Sequence, residues 1–314
     1  MRVLFAGTPP VAVPSLQALF DAGLDIAAVL TRVDAPLGRK KIRTPSPVAC
    51  RAEELGLAVI KANRFDDAVI AELDALSLDA AAVVAYGGLV PARALGVPRH
   101  GWINLHFSLL PAWRGAAPVQ HAVLNGDDVA GASTFRLEEG LDTGPVFGSM
   151  TETLDPADTS GELLERLSSS GAVLLVQTLT AIGAGRVEAL PQQGDITLAP
   201  KITIADARID WTQPAVAVRR RVNAVTPEPG AWTTVGGQRI KVEPVTPSAE
   251  DVLEPGEFPQ GLPPGRVLLR GGRVVVGTGT GPVLLGRVQP AGKKRMDAPD
   301  WARGAIAQGE LVFE

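Results

Sequence analysis

The sequence predicts an α/β body with a parallel sheet, followed by a smaller all-β domain. Over residues 1–150, short apolar runs alternate with amphipathic segments, the pattern of strands covered by helices on both faces. Beyond residue 206 this gives way to short β runs broken by Gly and Pro. At 314 residues and 46% hydrophobic content, the chain can fill two cores.

Arg2–Ala6 reads as a short apolar strand, Val11–Ala22 as a helix ending before Gly23, and Ile26–Thr31 as a second strand. Ser46-Pro47 opens the next helix, with Ser as N-cap and Pro at the first helical position, and Gly56 closes it. Ala58–Ile60 is a strand and Asp66–Leu76 a helix. Ala80–Tyr86 is a continuous apolar run, as a strand buried on both faces requires. Trp102–His106 is a further strand and Ala117–Asn125 a helix. Residues 131–152 form a strand pair around the loop Glu138–Gly144. Asp158–Ala184 is a long helical region that Asp158 or Thr159 can cap. Periodicity is lost from Pro191 to about Asp206. The expected division is therefore a first domain at 1–190, a linker at 191–205 and a second domain at 206–314.

In that second domain one helix is expected at Pro214–Val225. Ala231–Val235 and Gln238–Val245 flank Gly236-Gly237, a two-residue hairpin turn. Val267–Arg270, Arg273–Val276 and Pro282–Val288 read as three more strands, and Pro255–Pro264 as a Pro/Gly-rich loop. Short strands at this density suggest a small OB-like β-barrel.

The single cysteine, Cys50, cannot form an internal disulfide and supports neither a disulfide scaffold nor a thiolate zinc cluster. No export leader and no apolar run of ~18 residues is visible, so a cytoplasmic location without membrane contact is expected. The net charge of -4 argues against non-specific nucleic-acid binding by the whole chain. Its distribution is uneven: residues 1–205 hold 16 Lys/Arg and 22 Asp/Glu, residues 206–314 hold 14 and 12. An acidic body with local basic patches for an anionic partner fits this, as does ordinary surface variation. No cluster of His, Cys and carboxylate stands at metal-ligand spacing.

The segment Trp102–Pro118, WINLHFSLLPAWRGAAP, carries the chemistry. Period-two alternation puts the side chains of Asn104 and His106 on one side of a strand. They lie at its carboxyl end, where open α/β sheets place ligands. An Asn amide can donate to a developing oxyanion, and a His can donate or accept a proton near neutral pH. Taken singly, an Asn there is more often a turn former and a lone His a structural group. The spacing and the irregular loop Ser108–Arg114 favour chemistry.

Asn104-Leu105-His106-Phe107-Ser108-Leu109-Leu110-Pro111, followed by Trp113-Arg114-Gly115, resembles the signature of the 10-formyltetrahydrofolate-dependent formyltransferases. A second family element, Gly-Leu-Asp-Thr-Gly, stands here as Gly140-Leu141-Asp142-Thr143-Gly144. The resemblance implies a Rossmann-like first domain and a catalytic set of Asn104, His106 and Asp142. It implies that Asn104 and His106 stabilise the oxyanion of a tetrahedral intermediate. Asp142 would hold His106 in its working protonation state and help move protons. The formyl donor would be 10-formyltetrahydrofolate, with no metal needed. The folate would lie along Ser108, Leu109, Leu110 and Pro111. It would also meet the end of the Val84–Leu89 segment, where Tyr86, Gly87 and Gly88 permit close backbone approach.

Chain length and the barrel-like second half resemble the tRNA-acting branch of that family. The implied amine is then the methionine of an initiator methionyl-tRNA. The opening Arg2–Pro9 agrees and lacks a Gly-x-Gly-x-x-Gly dinucleotide fingerprint. Thr31–Pro47 is a long basic loop with Arg39, Lys40, Lys41 and Arg43, which suits acceptor-stem phosphates. The Gly that usually separates the Arg and the Lys pair in this branch is missing between Arg39 and Lys40. Further candidate phosphate contacts are Arg219-Arg220-Arg221, on a helix where not all three can face one partner, and Lys293, Lys294 and Arg295 in a loop. A monomer is expected. Two other readings stay open: transfer to a small or nucleotide-sugar amine, and a catalytically inactive folate- or RNA-binding protein.

Overall fold

A computed structural model describes residues 1–38, 40–245, 261–306 and 310–314. The chain folds as two compact units that interleave in sequence. One comprises Met1–Pro118, Val129–Glu152 and Leu164–Leu198, the other Val119–Asp128, Thr153–Leu163 and Ala199–Glu314.

In chain order the elements to residue 183 begin with β1 (Arg2–Gly7), α1 (Val13–Asp21), β2 (Asp25–Thr31), β3 (Ala35–Leu37) and β4 (Ile42–Thr44). Next come α2 (Pro47–Glu54), β5 (Val59–Lys61), α3 (Asp67–Ala75), β6 (Ala80–Val84), α4 (Ala92–Leu95) and β7 (Trp102–His106). The last are β8 (Arg114–Gly115), α5 (Pro118–Asn125), β9 (Val129–Arg136), β10 (Val146–Thr153) and α6 (Ser160–Gly183). A seven-stranded sheet has the order β10-β9-β7-β6-β1-β2-β5. Strands β7, β6, β1, β2 and β5 run parallel, whereas β9 lies antiparallel to β7.

The parallel strands are apolar on both faces because helices cover both. Along β1, Val3 and Phe5 enter one core with Leu16, Leu19, Val48, Leu175 and Leu179. Leu4 and Ala6 enter the other with Leu73, Ala94 and Trp102. Each fully buried Leu or Phe contributes roughly 1.5–3 kcal/mol. The expected α/β core with its parallel sheet is borne out.

The second unit is built from antiparallel strands, as expected. Trp232–Val235, Gln238–Val242, Arg287–Pro290 and Met296–Asp297 make a four-stranded sheet. Val267–Arg270, Arg273–Val276 and Val283–Leu285 make a three-stranded one. Gly236 and Gly237 both have positive φ, as a tight hairpin with Val235 opposite Gln238 demands. Trp211, Phe313 and Trp301 stack in the core, at 5.3 and 5.6 Å between neighbouring ring centroids. A helix occupies Ala215–Ala224.

Several details differ from the sequence reading. The run ending at Tyr86 stops being a strand at Val84, because Ala85 turns with φ +47 and directs Tyr86 into the core. The Tyr86 hydroxyl then donates to Ala62 O at 2.7 Å. The basic loop contains a short antiparallel hairpin, β3 with β4. The Pro282–Val288 strand is interrupted at Gly286. A C-terminal helix, Ala298–Ile306, stands where the sequence reading has no element, and it buries Trp301. The reading of Pro255–Pro264 as a loop lies largely outside the described residues.

Candidate active site

Strand β7 brings Asn104 and His106 to the end of the parallel sheet. Asn104 stands opposite Val83 on one side and Phe135 on the other, and His106 opposite Ser133. Being two residues apart, their side chains share a face. Asn104 is half-buried, and among the described residues its carboxamide has no hydrogen-bond partner. His106 is buried, with its ring edge-on to Phe135.

The His106 ring has two different neighbours. Its Nε2 lies 2.9 Å from Trp113 O and donates there, since a carbonyl only accepts. Its Nδ1 faces Asp142 Oδ2 at 3.8 Å. That is beyond a direct hydrogen bond, but such contacts tighten when substrate closes a site. Asp142 has φ +50, a left-handed conformation that Asp tolerates better than most residues. Its Oδ2 accepts the Gly115 N–H at 2.8 Å, which fixes the carboxylate relative to the loop after β7.

The proposed folate residues fall into two groups. Ser108 is buried and does not present its hydroxyl outward: Oγ donates to Ala112 O at 2.6 Å. Ser133 Oγ donates to Ser108 O at 2.8 Å and accepts Leu110 N–H at 3.2 Å, so the loop is clamped from β9. Leu109 and Leu110 are half-buried and Pro111, after a cis bond, is buried. At the end of β6, the Tyr86 ring sits in the core, so only its backbone can face a ligand. Burial pushes the Tyr86 hydroxyl above its ordinary value of 10.0, against the opposing charge of Arg32. Thr8 Oγ1 donates to Tyr86 O at 2.8 Å, and Arg32 donates to both Gly87 O and Asn63 Oδ1. Gly87 takes φ +76, which a glycine adopts without strain.

The basic candidates lie apart in sequence. Lys40, Lys41 and Arg43 are exposed on the β3–β4 hairpin. Arg39 lies outside the described residues. Lys293 and Lys294 are exposed, whereas Arg295 pairs with Glu243 at 2.8 Å. In the triplet, Arg220 donates to Asn125 O and Arg221 to Asp206 O. Among the described residues, no group of three or more His, Cys, Asp or Glu could hold a metal.

Four residues outside the sequence-derived set also shape the site. Trp113 supplies the carbonyl under His106 and Gly115 the amide on Asp142. Arg114 and Gln192 are joined, with Arg114 Nη2 donating to Gln192 Oε1 at 2.7 Å. Backbone groups leave no residue-type signal. Gln192 lies 50 residues beyond Asp142 in a stretch without periodicity.

The formyl transferase family model matches residues 1–179, and a model for the formyl transferase C-terminal domain matches residues 201–305. The chain is 65% identical to a methionyl-tRNA formyltransferase of Arthrobacter sp. (strain FB24), over 100% of both chains. Among solved structures, HypX from Aquifex aeolicus matches with a TM-score of 0.67 at 17% identity. The match covers 99% of this chain and 48% of HypX, so this chain spans about half that protein. WlaRD, a sugar 3N-formyl transferase crystallised in the presence of dTDP and 5-N-formyl-THF, matches with a TM-score of 0.66 at 15% identity. That match covers 94% of this chain and 99% of WlaRD. At these identities the two solved structures speak for the fold alone.

Proposed function

Because this chain belongs to the formyl transferase family, we propose that it moves the formyl group of 10-formyltetrahydrofolate onto the α-amino group of methionine carried by initiator methionyl-tRNA. It is an enzyme of one-carbon transfer acting at translation initiation, as its full-length relatives' shared name indicates. The observation that carries the chemistry is the approach of Asn104, His106 and Asp142 at one end of the sheet.

Folate supplies a formyl carbon already bonded to nitrogen, so no further activation is required. The amine nitrogen forms a bond to that carbon, the bond to the folate nitrogen breaks, and one proton passes from the former to the latter. Asn104 is the donor to the oxyanion, since its amide is not spent on any of the described residues. With Nε2–H given to Trp113, the Nδ1 of His106 is the ring nitrogen left to accept a proton, and it can donate to the oxyanion once protonated. Asp142, beside that nitrogen, orients the ring, and its negative charge stabilises the imidazolium that forms when Nδ1 takes the proton. The half-buried Leu109 and Leu110 and the backbone at the turn of Tyr86 and Gly87 offer the folate an apolar and backbone-lined surface, with the buried Ser108 and Pro111 shaping the loop from within.

Lys40, Lys41, Arg43, Lys293 and Lys294, with Arg39, are the proposed phosphate contacts for the tRNA. The proposed division of labour places catalysis within residues 1–198 and tRNA contact on both the β3–β4 hairpin and residues 206–314. The chain is proposed to act as a cytoplasmic monomer. Among the described residues no helix is long and apolar enough to cross a membrane.

The test is transfer of labelled formyl from 10-formyltetrahydrofolate to charged initiator methionyl-tRNA, with uncharged tRNA and free methionine as controls. Label on the charged initiator alone supports the proposal. Transfer to aminated sugars or ribonucleotides instead would replace the acceptor.

A further inference from the structure

Between residues 191 and 198 Gln192 is half-buried and its neighbours are exposed. Its Nε2 donates to Asp142 O at 2.7 Å and to Gly144 O at 2.8 Å. Its Oε1 accepts from Arg114 Nε at 3.1 Å and from Arg114 Nη2 at 2.7 Å. Both amide hydrogens and both lone pairs are therefore used. The opposite amide orientation would set NH2 against a guanidinium and a carbonyl oxygen against two others, so only one orientation fits.

The two segments so joined hold the reacting groups. Arg114 lies between Trp113, whose carbonyl fixes His106, and Gly115, whose amide fixes Asp142. Asp142 and Gly144 flank the turn of the acidic loop, where Asp142 has a left-handed backbone that its surroundings must hold in place. The same stretch is pinned again at Thr197, whose Oγ1 accepts Trp113 N–H at 2.8 Å and whose carbonyl accepts Arg114 N–H at 2.9 Å. We infer that Gln192 is a positioning residue for formyl transfer: its carboxamide sets the backbone of Asp142 and, through Arg114, the loop that holds His106.

This rests on the reading of Asn104, His106 and Asp142 as the catalytic set, and the test separates the two. The kinetic constants of formyl transfer are measured for Gln192→Leu, Gln192→Glu, Asp142→Asn and the double variant Gln192→Leu with Asp142→Asn. Gln192→Leu removes all four bonds at nearly constant volume. Gln192→Glu keeps the acceptor for Arg114 and turns the donors to Asp142 O and Gly144 O into a repelling carboxylate oxygen. Both should lower kcat by about 10- to 100-fold, the scale of a small misplacement of reacting groups, with KM for each substrate changed less than about threefold. On the Asp142→Asn background, Gln192→Leu should cost less than about threefold, because residues that act as a unit are not additive.

Wild-type turnover by Gln192→Leu would overturn the inference. So would equal losses on both backgrounds, which would mark a general effect on the fold. Should Gln192→Leu melt below the assay temperature, the isosteric Gln192→Glu carries the same comparison. Full activity in Asp142→Asn would instead refute the catalytic set itself.

Discussion

Replacing Asn104 by Ala should separate catalysis from stability more cleanly than any other change in the site. The carboxamide is half-buried and makes no hydrogen bond among the described residues, so its loss orphans none of them. Without a cavity in the core and without a broken network, the stability change should stay within ~0.5 kcal/mol. The rate should respond very differently. A donor aimed at an oxyanion contributes about 2.7–4 kcal/mol to the transition state, which is roughly 10²–10³ in kcat. The charge it meets exists only in the transition state, so KM for folate and for tRNA should hardly move. Formyl transfer to charged initiator methionyl-tRNA under saturating conditions, with thermal melting alongside, reads both quantities. A kcat within about threefold of the unmodified protein would refute the assignment of Asn104 as oxyanion donor. A loss confined to KM would assign it to substrate binding instead.

Tyr86 is the one tyrosine in the chain, so tyrosinate absorbance reports it alone. Burial favours its neutral form, so it should ionise above 10.0 in the folded protein and at the ordinary value in denaturant. A raised folded value means that its contribution to stability is complete below pH 10.0 and is lost as pH climbs through the folded value. Coincident titrations in the two states would contradict the buried hydroxyl. At Gly144 an added Cβ would collide with the Arg136 carbonyl, so Gly144→Ala should destabilise by about 1–3 kcal/mol and reduce turnover by displacing Asp142. Unchanged melting and kinetics would show that the loop yields freely. Replacing Lys40, Lys41 and Arg43 together by Ala should raise KM for tRNA, spare kcat and flatten its salt dependence by about one logarithmic unit per lost phosphate contact. An unaltered salt slope would remove the hairpin from tRNA binding.

Where a short-range rule governed the structure, the residues announced it. Ser46 accepts Ala49 N–H ahead of Pro47, and Thr159 and Glu162 exchange hydrogen bonds as a capping box. Gly236-Gly237 turns the hairpin where two positive φ values are needed. The shared face of Asn104 and His106 followed from strand periodicity alone. Pairing partners were harder to see. Nothing local tells β9 to lie antiparallel beside β7, because a strand buried on both faces has the same composition in either direction. The β3–β4 hairpin has no strand signal of its own, because its charged residues read as loop. The carbonyl of Trp113 and the amide of Gly115 carry no side-chain signature, and Gln192 meets Asp142 across 50 residues of chain. Such contacts belong to the tertiary fold and have no periodic signal.

The interleaving of the two units bears on synthesis, which delivers the chain from its amino end. Segments 119–128 and 153–163 belong with residues 199–314 and leave the ribosome well before them. Gln120 then waits for Glu228 O and His121 for Pro200 O. Asn125 O waits for Arg220, and Ser160 and Gly161 for Thr226 O. Water must satisfy these groups in the interval, and the nascent chain carries them as an open socket. A protein stalled or truncated near residue 200 would therefore hold a largely built sheet and an unfinished second unit. It would be a natural substrate for holdase chaperones and for proteases that seek unpaired backbone.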